Sequence, residues 1–132
     1  MLTSLPPPSA ALASVQNIAA RGGPGPISRV IAKGPYRIHV RVSPNRAALQ
    51  NSFSVSVTRG GKAVRGAQVI SRFEMLDMDM GEQSYRFKEA RPGEFSKAAP
   101  ALVMVGHWAI QFEITPPGAR PFVVTLLDKA SG

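Results

Sequence analysis

From residue 35 onward, apolar and polar residues alternate with a period of two. In YRIHVRV, Tyr36, Ile38, Val40 and Val42 share one side, and Arg37, His39 and Arg41 share the other. Side chains alternate across a strand, so this is the pattern of a half-buried strand with His39 on the solvent side. FSVSVT repeats it, with Phe53, Val55 and Val57 inward and Ser54, Ser56 and Thr58 outward. RGGK at 59–62 then reads as a hairpin turn. A further strand is predicted over Ala67–Met75, with Val69, Phe73 and Met75 inward. YRFKEA reads as one more alternating strand, and RPGEF at 91–95 as a turn. HWAIQFEI has the clearest alternation: Trp108, Ile110, Phe112 and Ile114 oppose His107, Ala109, Gln111 and Glu113. PPGARP turns the chain again, and FVVTLL closes it.

About seven short strands separated by Pro/Gly turns, with little helical periodicity, predict an all-β fold. The expected form is an immunoglobulin-like antiparallel β-sandwich over residues 33–130. Residues 1–32, interrupted by PPP and RGGPGP, read as an irregular, flexible tail or linker, with a short helix over Ala10–Ala20 as its one candidate element. The start of the chain lacks the basic n-region and continuous apolar stretch of a signal peptide. No apolar run is long enough for a membrane-spanning helix.

Composition narrows the chemistry. Cysteine is absent, which removes disulfides, thiolate metal sites and cysteine nucleophiles together. The net charge is +8, which raises nucleic acid and anionic membranes as partners. The basic residues are scattered, however, and no zinc-finger spacing, basic helix or aromatic RNP pattern accompanies them, so nucleic acid is not expected. There is no nucleophile elbow, P-loop or dinucleotide fingerprint. The prolines of RGGPGP remove the amide donors that a phosphate cradle needs. The expectation is a protein that is not an enzyme.

One stretch departs from the rest. FEMLDMDMGE, Phe73–Glu82, holds three of the five methionines and four of the eight acidic residues. It forms a negative island on a basic chain. Thioether sulfur and imidazole both suit copper, and thioether favours Cu(I) over Cu(II). Continuing the strand past Leu76 would bury Asp77 and Asp79 without partners. The strand is therefore predicted to end there, leaving Met75 in the core. Met78 and Met80 would then stand side by side on an extended edge, as the ligand candidates. MVGHW supplies two more, Met104 and His107. The acids Asp77, Asp79 and Glu82 are expected to raise the local cation concentration rather than to ligate. Two readings stay open: a metal site, and a methionine patch for protein contact in a structural module without metal.

The order FEMLDMDMG, charged strand, PGEF, MVGHW and alternating strand resembles the YtkA-like domain family over about residues 35–128. Met78, Met80 and Gly81 match its first motif, Pro92, Gly93 and Phe95 its turn, and Met104, Gly106 and Trp108 its last. The chain departs from that pattern at Asp79 and in lacking the loop proline. The resemblance implies an extracytoplasmic domain, periplasmic or at the cell surface, associated with copper-resistance proteins of the CopC and CopD types. Copper would be its cofactor, and its partners copper itself or a copper-handling membrane protein. LTSLPPP is similar to the exit from the last membrane helix of CopD-type proteins, which implies membrane proximity through an upstream anchor.

Overall fold

The structure, a computed structural model, describes residues 18–132. It contains eleven strands: β1 Ile18–Gly22, β2 Ile27–Lys33, β3 Tyr36–Ser43, β4 Asn51–Arg59, β5 Lys62–Ala63, β6 Gln68–Met75, β7 Glu82–Arg86, β8 Lys88–Arg91, β9 Glu94–Ala99, β10 Gly106–Thr115 and β11 Phe122–Ala130. They form two facing sheets. The first has the order β1-β11-β10-β6-β7; the second has β2-β3-β4-β9-β8, with β5 paired to β4. All pairings are antiparallel except β1 with β11.

The inward set follows the alternation. Ile38, Val40, Val42, Phe53, Val55 and Val57 from the second sheet meet Val69, Phe73, Trp108, Ile110, Phe112 and Ile114 from the first, all essentially without solvent access. Phe53 and Phe73 lock the sheets edge to face, with ring centroids 4.9 Å apart, a geometry that adds to their area burial. Gly60 and Gly61 both have positive φ, as a two-residue type I′ hairpin requires. Gly93 also has positive φ. A side chain there would press on Ala63 and on the Val57 carbonyl, so the RPGEF turn packs directly onto β4.

Two expectations change. Residues 18–32, predicted as part of the tail, instead hold β1 and nearly all of β2, which form one edge of each sheet. The candidate helix over Ala10–Ala20 lies mostly outside the described residues, and its last three residues, Ile18–Ala20, belong to β1. YRFKEA is not one strand. The chain crosses between sheets at the buried Phe87, so β7 pairs with β6 and β8 with β9. The Phe87 amide donates to the Val69 carbonyl at 2.9 Å. The half-buried alternation of β7 ends at Phe87, and β8 beyond it is exposed at every position.

At one end of the sandwich, Asn45, Asn51 and Asp128 are buried together. Asn45 Nδ2 donates to Asp128 Oδ1 at 2.7 Å and to the Gly25 carbonyl at 2.8 Å. Asn51 Oδ1 accepts from the Asn45 amide at 2.7 Å, closing the loop before β4. Among the described residues Asn45 Oδ1 and Asp128 Oδ2 have no hydrogen-bond partner, so a proton on Asp128 brings a donor to a cluster short of one. Burial pushes the Asp128 carboxyl up to about 6, opposed by the Asn45 hydrogen bond. Its contribution to stability is therefore complete below about pH 4, the ordinary aspartate range, and is lost as pH rises through about 6. Asp128→Asn is expected to match wild type in melting temperature near pH 4 and to exceed it increasingly up to pH 7–8. The gain reaches about 2–3 kcal/mol at most, and thermal denaturation across this pH range measures it.

Candidate metal centre

The register between β6 and β10 brings the two candidate motifs together. Met75, the last residue of β6, pairs with Trp108, and Ala109 pairs with Glu74. The ladder runs one residue further, with the Leu76 amide donating to the His107 carbonyl at 2.8 Å. LDMDMG therefore leaves β6 beside the point where MVGHW enters β10. Met75 is in the core as expected, 4% exposed. Its sulfur accepts from the Asp77 amide at 3.3 Å, so it is occupied within the fold.

Residues 76–78 bend rather than continuing as an extended edge. The reason is Asp77. Its Oδ2 accepts the His107 backbone N–H at 2.8 Å, and its two oxygens lie 3.1 and 3.2 Å from His107 Nδ1. These bonds, the backbone one first, hold the Asp77 carboxyl below its ordinary value. A carboxylate only accepts, so Nδ1 carries the proton and the free lone pair is on Nε2. The two side chains are 59% and 48% exposed. A hydrogen bond so open to solvent contributes little stability; what it fixes is the orientation of the imidazole. The sequence reading gave Asp77 only a diffuse electrostatic role. Its partner is thirty residues away, and only the β6–β10 register reveals it.

Past Asp77, Asp79 Oδ1 accepts the Gly81 amide at 3.1 Å, and Gly81 has φ of 78°. This local turn carries Met78 and Met80 outward, 53% and 45% exposed. Met104 is half-buried against the core, and its carbonyl accepts the Trp108 indole N–H at 3.0 Å. That bond ties the MVGHW turn to the buried tryptophan. The hydrogen-bonded link from the methionine loop to His107 runs through Asp77. Met78, Met80, Met104 and His107 thus lie at one end of the first sheet, two of them on each of two adjoining segments.

The donors at this end are thioethers, one imidazole and three carboxylates: Asp77 is committed to that imidazole, Asp79 to the Gly81 amide, and Glu82 faces Arg72. Among the described residues, no group of three or more His, Cys, Asp or Glu is placed to hold a metal ion. Thioether and imidazole are the donor types that the two segments expose, and both are types that copper accepts. An open cleft of about 440 Å³ is lined by Asp77 and His107 themselves, with Leu76, Trp108 and Leu127 as apolar walls and Arg21, Asp128 and Lys129 as its other charged residues. Lys129 also stands across the strands from His107.

Comparison with known proteins gives the family and the fold. The sequence model of the YtkA-like family matches residues 32–113. No curated protein matches. A copper-bound variant of FetP from uropathogenic Escherichia coli strain F11 is structurally similar, with a TM-score of 0.57 and 15% identity over 82% of this chain and 92% of that one. FetP of the same strain, as isolated after recombinant expression in the periplasm of E. coli BL21(DE3), gives a TM-score of 0.54 and 14% identity. That match covers 81% of this chain and 95% of the other.

Gly106 tests whether the two segments really pack this closely. Its φ is 144°, and a Cβ there would collide with Met75 Cε and Asp77 Oδ2. Gly106→Ala is expected to lower stability by about 1–3 kcal/mol, read as a lower urea midpoint with an unchanged slope. An unaltered midpoint would mean that the turn has room the structure does not give it.

Proposed function

The chain belongs to the YtkA-like family, and from that premise and the geometry around His107 we propose that it is a non-enzymatic, extracytoplasmic copper-binding domain. Met78 and Met80 supply thioethers, His107 supplies Nε2, and Met104 completes the set from the adjoining turn. The ion is Cu(I): neutral soft donors without a thiolate suit it, and among the described residues no group of three His, Asp or Glu competes. Asp77 is a positioning residue. It fixes the tautomer and direction of the imidazole, as carboxylates behind metal-bound histidines generally do. The observation that carries this reading is the double engagement of His107 by Asp77, which leaves Nε2 free next to an exposed methionine loop. The copper-bound state of the FetP variant and the periplasmic expression of FetP support the metal and the compartment. The expected partners are copper and a copper-handling membrane protein.

A second reading rests on a separate observation. Val103 and Val105 are exposed on the turn before β10, as Met78 and Met80 are on theirs. An apolar tip of this kind also suits contact with another protein.

Competition titration with a Cu(I) chelator separates the two. Wild type binds above background, and Met78→Leu/Met80→Leu falls to background with its melting temperature unchanged, since both sites are exposed. Asp77→Asn weakens binding by about 10–100-fold. Equal affinity in wild type and the double variant leaves only the protein-contact reading.

A further inference from the structure

Charge is distributed very unequally between the two sheets. The strands of the second sheet carry nine Lys and Arg against two Glu, whereas those of the first carry four of each sign. The excess faces outward in an ordered way. In one row across the second sheet, Ser28, Arg41, Ser54, Ser96 and Lys88 are successive partners. In the next, Val30, His39, Ser56, Glu94 and Arg91 follow the same path, and Arg37 pairs with Thr58 one row on. Glu94 is the single acid in these rows. The other acid of the sheet, Glu89, is turned to the Gly66 and Gly93 amides. His39 is held below its ordinary value by burial and then by Arg41, so the charge at neutral pH comes from guanidinium and ammonium groups.

We propose that this outer face is a docking platform for an anionic phospholipid bilayer. The rows present short hydroxyls between guanidinium groups, so the surface is level and rich in donors for phosphate oxygens. A depression of about 210 Å³, with Arg41, Arg91, Ser54, Ser56, Ser96 and Glu94 among its lining, lies within it. It gives a lipid phosphate a seat between two guanidinium groups. At the edge of the face Val30 is 61% exposed, an apolar side chain set to enter the headgroup layer. Charge complementarity alone also admits nucleic acid, but the one aromatic ring in these rows is His39, hydrogen-bonded to Ser28 and Arg41, and no Phe, Tyr or Trp stands in them as a stacking platform for bases. A broad flat partner fits best. The inference is independent of the copper site, which lies on the loops at one end of the other sheet.

Each Lys or Arg near an anionic bilayer is worth about 1 kcal/mol, or roughly fivefold in partitioning. Co-sedimentation compares vesicles of phosphatidylcholine containing phosphatidylglycerol with phosphatidylcholine alone. Wild type is expected to sediment only with the former, and to be released as salt rises from about 0.1 M to about 0.5 M. Arg37→Gln/Arg41→Gln should lower the partition coefficient by roughly 25-fold. Arg86→Gln/Arg120→Gln, with equal loss of charge outside the face, should lower it far less. Equal losses in the two variants would reduce the effect to net charge and overturn the assignment. So would failure of wild type to bind phosphatidylglycerol, or binding of duplex DNA that depends on Arg37 and Arg41 without any binding of vesicles.

Discussion

The carboxylate of Asp77 bridges two segments that the chain separates by thirty residues. It caps the first amide of β10 after Gly106 and faces the imidazole of the same residue. The arrangement needs β6 to stop at Met75, because a strand continued further would carry Asp77 out of reach of that amide. It needs a glycine at 106, because a Cβ would occupy the space of Met75 Cε and the Asp77 carboxylate. It also needs Trp108 held in the core, with its indole N–H on the Met104 carbonyl, so that the preceding turn keeps its place. The features that matter most in FEMLDMDMG and MVGHW therefore serve one geometry: an imidazole with a defined free nitrogen beside a loop of exposed thioethers.

Much of the sandwich was legible in the sequence because its core obeys strict alternation. β3, β4, β6 and β10 each put every second residue into the core, and inward positions such as Phe53, Phe73 and Trp108 were read correctly from parity. The parts that escaped lack that signal. β1 pairs in parallel at an edge, and the Gly/Pro run 22–26 separates it from β2, so neither strand shows a period among punctuating residues. The sheet change at Phe87 has no local marker, because β8 beyond it is exposed throughout and shows no alternation of its own. Met75 as a core residue followed from parity with Val69 and Phe73, and the end of β6 from the cost of burying aspartates. The role of Asp77 did not follow, since it depends on cross-strand register, which no local pattern encodes.

The fold separates two kinds of surface. The neutral first sheet ends in the methionine loop, where Asp77, Asp79 and Glu82 offset the positive charge of the chain. The second sheet carries the cationic excess on a level, hydroxyl-lined face. A domain held through that face keeps its methionine end free for exchange with a partner. The same separation explains how a strongly basic protein retains a place that attracts a cation: the field there is set by near neighbours rather than by net charge.

X-ray absorption at the copper K edge of the Cu(I)-loaded wild-type protein tests the central claim most directly, because it reports the donor atoms themselves. The account predicts a first shell containing both sulfur and an imidazole nitrogen. A shell of oxygen and nitrogen alone, or one of sulfur without imidazole scattering, would contradict it.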